Sequence, residues 1–204
     1  MLLSKKYIFA VLAAVNTLAH SFCGDRDVIV EIKGAAFVPT SCRFKEIYGK
    51  KAGEVGGEVT FQLAPCNDHW YGFASVDYFQ HCGKSIGLGN PTKVEVVPLA
   101  LGLKYLFPCW YGDFYVGLGF QPTHVKMIND SPFVAPCTAQ WGMGGIAKFG
   151  AYFDVWCNWV LDLFVDYSFV DVHCKKLCNA PAFVVPLKAK VDGVVVGAGL
   201  GYRF

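Results

Sequence analysis

From residue 28 onward the chain alternates between apolar and polar or small residues. Val28, Val30 and Ile32 interleave with Glu31 and Lys33, and Val59, Phe61 and Leu63 interleave with Glu58, Thr60 and Gln62. Period two is the side-chain repeat of a strand. The same pattern predicts strands over 28–37, 54–64, 70–79, 92–107, 113–123, 141–153, 159–170 and 190–204, each bounded by Gly, Pro, Asn or Asp. In the third, Ala74, Val76 and Tyr78 oppose Ser75 and Asp77; in the fourth, Leu99, Leu101, Leu103 and Tyr105 oppose Pro98, Ala100, Gly102 and Lys104. The seventh sets Leu161, Leu163, Val165 and Tyr167 against Asp162, Asp166 and Ser168, and the last sets Val194 to Phe204 against Gly197, Gly199, Gly201 and Arg203.

Alternation alone leaves open which face meets water. A soluble barrel would bury the apolar set, and a membrane barrel would show it to lipid. Two features favour lipid. The polar face is rich in Gly (Gly102, Gly117, Gly119, Gly144, Gly150, Gly197, Gly199, Gly201), which suits a narrow interior and weakens a solvated strand. Aromatics gather near segment ends, where interfacial girdles sit: Trp70, Tyr78, Tyr105, Phe107, Phe114, Trp141, Trp159, Tyr202 and Phe204. Lys33, Lys104 and Lys148 would each cost about 2–4 kcal/mol facing lipid at mid-depth, so they belong inside. The predicted fold is all-β, an eight-stranded antiparallel up-and-down transmembrane β-barrel over 22–204. The chain is too short for sixteen membrane-length strands at roughly 9–11 residues each.

Composition agrees. The chain is 54% hydrophobic and 17% charged, with a net charge of +2, and its mean hydropathy is +0.36. Such a balance excludes disorder and gives no electrostatic case for a nucleic-acid partner. Residues 1–21 read as a secretory signal: Lys5 and Lys6, an apolar run from Tyr7 to Val15, then Ala19-His20-Ser21 as a cleavage site. The bulky residues before Cys23 do not resemble a lipobox.

The links alternate in length. Short ones are predicted at 65–69, 108–112 and 154–158, and long ones at 38–53, 80–91, 124–140 and 171–189. In an up-and-down barrel the short turns face the periplasm, with both termini, and the long loops face outside. Pro98, lacking an N–H, is expected at a bulge or a rim.

These residues resemble the small eight-stranded outer-membrane barrels of the OmpW- and OmpX-like kind. The likeness rests on the leader, the opening Val30-Glu-Ile-Lys-Gly-Ala-Ala-Phe37 and the closing Gly197-Ala-Gly-Leu-Gly-Tyr-Arg-Phe204. The ending, with Leu200, Tyr202 and terminal Phe204, is similar to the signal read by the barrel-assembly machinery. The resemblance implies an outer-membrane lipid environment and one of three roles: structural element, adhesion or immune-contact surface, or narrow conduit for small hydrophobic solutes. A conduit through the wall would need an opening, for which Pro98 is the one hint.

Nine cysteines fall outside the predicted strands: Cys23 before the first, Cys66, Cys109 and Cys157 in short turns, and Cys42, Cys82, Cys137, Cys174 and Cys178 in long loops. A barrel about 25 Å tall keeps the two groups beyond disulfide reach. Five outer thiols cannot all pair within one chain. Two readings stand level: loop-stapling disulfides with an odd thiol, or crosslinks to neighbouring envelope proteins. The second resembles the cysteine-rich outer membranes of chlamydiae. His173, Cys174 and Cys178 make too weak a constellation to predict zinc.

The inward set comprises Glu31, Lys33, Glu58, Asp77, Lys104, Lys148, Asp162, Asp166 and Arg203. Five acids and four bases nearly neutralise one another, either as a salt-bridge plug or as the polar constriction of a pore. No enzyme is predicted. His69, His81, His124 and His173 lie in predicted connections or at strand ends, Ser131 and Ser168 have no partner by spacing, and Gly87-Leu-Gly89 reads as loop flexibility. No cofactor or metal is expected.

Overall fold

A computed structural model of the chain describes residues 27–41, 51–64, 67–84, 91–129, 137–173 and 188–204. The predicted leader lies outside them. Ten strands follow in order: β1 (Val28–Pro39), β2 (Ala52–Ala64), β3 (Asn67–Lys84), β4 (Pro91–Cys109), β5 (Gly112–Phe120), β6 (Thr123–Asn129), β7 (Cys137–Trp156), β8 (Trp159–His173), β9 (Lys188–Lys190) and β10 (Gly193–Arg203).

They form eight staves. β5 and β6 run as one, because β4 pairs with both in a single register, Leu101↔Phe120 and Pro98↔Thr123, with Gln121 and Pro122 between. β9 and β10 likewise continue one another along β8. All pairings are antiparallel, and the ring closes where β1 bonds β2 on one side and β10 on the other.

The pairings also fix the shape. Followed once around, the line Val28, Phe61, Gly72, Leu103, Leu118, Ala147, Tyr167, Val194 returns to β1 at Val38. The ring is therefore sheared by ten residues, which tilts eight strands by roughly 40° from the axis. An interior that narrow leaves room for side chains and little else. Gly102 and Gly119 show how it fits: a Cβ on either would come within 2.7 and 2.8 Å of the Phe73 ring, which occupies the space their missing side chains leave.

Apolar side chains cover the outside. Leu101, Leu118, Phe149 and Leu163 are among the exposed residues, whereas Glu31, Glu58, Lys104 and Asp162 are buried within. The period-two reading thus assigned the faces correctly.

The strand ends differ from expectation. β3 continues to Lys84, β4 starts at Pro91, β6 occupies 123–129 and β7 starts at Cys137, all within stretches read as long loops. Outward positions there carry Gln80, Lys93, Glu95 and Lys126, so the apolar alternation fades where the wall leaves the lipid. His69, His124 and His173 lie at or near strand ends, as the sequence suggests, and His81 lies within β3. The expectation that no cysteine enters a strand is also corrected: Cys82 lies in β3, Cys109 ends β4 and Cys137 opens β7. Cys157 does sit in a turn, between Trp156 and Trp159, at φ 47°.

Pro98 is neither at a bulge nor at a rim. The β3–β4 register is the same on both sides of it, and pairing lapses only between Val76↔Leu99 and Phe79↔Val96, where the proline has no N–H to give. Pro122 faces the same neighbourhood from the other side of β4, its carbonyl accepting from Leu99 N at 2.9 Å.

Candidate functional site

The middle of the lumen is an ionic cluster centred on Glu58 of β2. Lys33 of β1 and Lys148 of β7 each approach its Oε2 at 2.9 Å, and Lys104 of β4 donates to Oε1. Lys33 also lies 3.4 Å from Glu31 and from Asp162, and Lys148 lies 2.8 Å from Asp166. Two tyrosines join in: Tyr152 OH accepts from Lys104 at 2.7 Å and donates to Glu31 at 3.2 Å, and Tyr115 OH donates to Asp162 at 3.0 Å. Lys104 further lies 3.3 Å from Thr60 Oγ1 and 4.2 Å from the Tyr115 ring centre. Charges removed from water need this density of partners.

Below this cluster, at the end of the barrel carrying the short turns, Ile29, Tyr71, Leu106 and Val160 form an apolar floor. Above it, at the long-loop end, Phe37, Phe79, Val94, Val96, Val125 and Val170 form a cap, with Phe37 and Phe79 stacked at 4.8 Å. Two cavities lie between cluster and cap, of about 10 and 20 Å³. Each has room for about one water molecule.

The outer surface has two borders. At the turn end Tyr105 contacts both Trp70 and Phe107, and Tyr202 contacts both Trp159 and Phe204, with ring centres 4.7–5.5 Å apart. At the loop end Glu95 accepts from Lys93 at 2.7 Å and lies 3.8 Å from Lys126. From Glu95 to Phe107, at about 3.3 Å per residue and a tilt of roughly 40°, the wall rises about 30 Å. That matches a bilayer's hydrocarbon core. Above it, the hydrogen bond from Lys93 holds the Glu95 carboxyl below its ordinary range and the Lys93 ammonium above its own.

Of the predicted inward set, Glu31, Lys33, Glu58, Lys104, Lys148, Asp162 and Asp166 come together. Asp77 lines the larger cavity. Arg203 stands apart at the turn-end mouth, bonded to Asp113 at 2.6 Å and 3.8 Å from Asp154. Glu54 was not singled out, although it shares parity with Glu58 four residues on; it is buried and lines both cavities. Tyr152 was not singled out either, although it shares parity with Lys148 four residues before it. Leu200, Tyr202 and Phe204 share the outer face of the last stave, with Leu200 and Phe204 exposed. Cys82, Cys109 and Cys157 are exposed free thiols, the first near the loop end and the others at the turn end. Cys23, Cys42, Cys66, Cys174 and Cys178 lie outside the described residues.

No protein-family model and no curated protein matches the chain. Solved structures do match. OprG from Pseudomonas aeruginosa, an outer membrane protein, is 18% identical over 87% of this chain and 95% of its own, with a TM-score of 0.56. Ail, the attachment invasion locus protein of Yersinia pestis, solved with the heparin analogue sucrose octasulfate, is 16% identical over 89% and 100%, with a TM-score of 0.54. The E. coli outer membrane protein W is 18% identical over 86% and 97%, with a TM-score of 0.53. The fold is that of the small outer-membrane β-barrels. The likeness to cysteine-rich chlamydial envelopes is not carried by these neighbours.

Proposed function

We propose that the protein is a noncatalytic component of a bacterial outer membrane, with a structural and surface-contact role. The short turns and both termini lie in the periplasm, the long loops lie outside, and the last stave, through Leu200, Tyr202 and Phe204, is read by the barrel-assembly machinery. The observation that carries this reading is the filled lumen. A wall packed around an ionic cluster, capped by Phe37 and Phe79, is built to stand in lipid rather than to pass solutes. Its contact surface is the part of β3, β4, β6 and β7 that rises above the lipid with Lys93, Glu95 and Lys126 on its outer face. Ail, the attachment invasion locus protein of Yersinia pestis, has the same fold.

Planar-bilayer recording with refolded protein tests this. The expected result is no steady conductance; a stable open level would replace it with the pore reading. One observation favours that second reading: the β3–β4 ladder lapses at Pro98 beside the smaller cavity, which Pro98, Gln121 and Thr123 help to line. The exposed thiols support a finer proposal, that the protein is disulfide-crosslinked to envelope neighbours. Non-reducing gels of native envelopes are expected to show species larger than the monomer, and a monomer band alone removes the crosslinks.

A further inference from the structure

Counted along the lumen between floor and cap, the described residues present six carboxylates (Glu31, Glu54, Glu58, Asp77, Asp162, Asp166) against three lysines. The lysines are held low in the cluster. All three lie on Glu58, and only Lys148 reaches up to Asp166. Glu54 and Asp77 form no ion pair within 4 Å among the described residues. Glu54 Oε2 and Asp166 Oδ1 are buried without a hydrogen-bond partner. An uncompensated carboxylate withdrawn from bulk water costs several kcal/mol.

The orphaned oxygens belong to residues around one space. Glu54 of β2, Asp77 of β3, Asp166 of β8 and Gln121 line the cavity of about 20 Å³, with Lys33 and Lys148 on its cluster side. Gly56 lets Asp77 take its place there, because a Cβ on that glycine would collide with the Asp77 carboxylate. Glu54 and Gln121 also line the second cavity, toward the cap. Among the described residues no three His, Cys, Asp or Glu side chains converge as ligands of a metal ion, which counts against any ion chelated by all three carboxylates at once, and most strongly against a divalent one, which needs six or more oxygen ligands. What fits is one water-sized unit of positive charge.

We propose that the Glu54–Asp77–Asp166 pocket is a binding site for a single small monovalent cation, an alkali ion or a proton, taken from solution to offset the acidic excess of the lumen. The site is independent of whether the lumen conducts.

Urea unfolding of the refolded protein in detergent tests it, at constant ionic strength in sodium, potassium or N-methylglucamine chloride, across pH 6–9. The last cation is far too large for the cavity. An alkali site gives a wild-type midpoint higher in sodium or potassium than in N-methylglucamine, by about 0.5 M urea at tenfold excess over Kd. A proton site gives a midpoint that falls as pH rises, equally in all three salts. In either case Glu54→Gln/Asp77→Asn loses the dependence, and in N-methylglucamine at high pH it is more stable than the wild type. If the double variant does not refold, Glu54→Gln alone is expected to lose part of the same dependence. A difference between wild type and variant that stays constant across all salts and pH values overturns the proposal.

Discussion

Lys104 of β4 reaches across β3 to donate to Glu58 of β2, the same carboxylate that Lys33 and Lys148 approach from β1 and β7. One acid thus ties together staves from opposite sides of the ring. Removing its charge leaves three buried ammonium groups short of their shared partner. Glu58→Gln is expected to destabilise the barrel by about 3–5 kcal/mol, read as a lower urea midpoint and as lost resistance to SDS on unheated gels. Glu58→Leu combined with Lys104→Met should cost less than the two single changes added together, because each half of the pair is most harmful alone.

The exterior carries a sharper positional test. Leu101 is 61% exposed at mid-height of the wall. Leu101→Arg is expected to cost about 2–4 kcal/mol in a bilayer, and Gln80→Arg, above the lipid, about 0–1. Equal effects of the two in vesicle-based unfolding would contradict the assignment of the lipid band.

Why some of this was legible and some not follows from where each signal arises. The faces were readable because lipid outside and a cramped interior inside sort residues by parity, as Ile32 and Lys33 do in adjacent positions. Strand ends were not, because the selection that makes Leu99, Leu101 and Leu103 apolar stops at the bilayer surface while the hydrogen-bonded ladder continues to Lys93 and beyond. The lysines and most acids of the cluster could be listed in advance, but their pairing could not. It depends on the ten-residue shear, which brings Lys104 level with Glu58 and sends Arg203 to the mouth; with Glu54 added, an expected near-neutral set becomes an acidic one.

Glu95 and Lys93 lie above the lipid, and their link should respond to acid. The Glu95 carboxyl is held below its unfolded value of about 4.3, so the pair's contribution is present above that value and fades as pH falls through the folded one. With side chains 24% and 34% exposed, that contribution is below about 1 kcal/mol and weakens with salt. The stability gap between wild type and Glu95→Gln should therefore be small at pH 6 and smaller at pH 3.

Orientation can be read from thiols. In single-cysteine variants displayed on intact bacteria, a membrane-impermeant maleimide is expected to label Cys82 at once, and Cys109 and Cys157 only after the envelope is opened. The reverse pattern would invert the proposed orientation.

The bonding of β1 to β10 joins the first and last of the described strands. A polypeptide delivered from its N-terminus must carry the free edge of β1 unsatisfied until Gly193–Arg203 has arrived, and an open edge of that length invites pairing with a stranger. No local zippering can shorten the wait. Biogenesis of such a ring depends on something shielding that edge, which makes the eleven residues of β10 the lock that ends the chain's vulnerability.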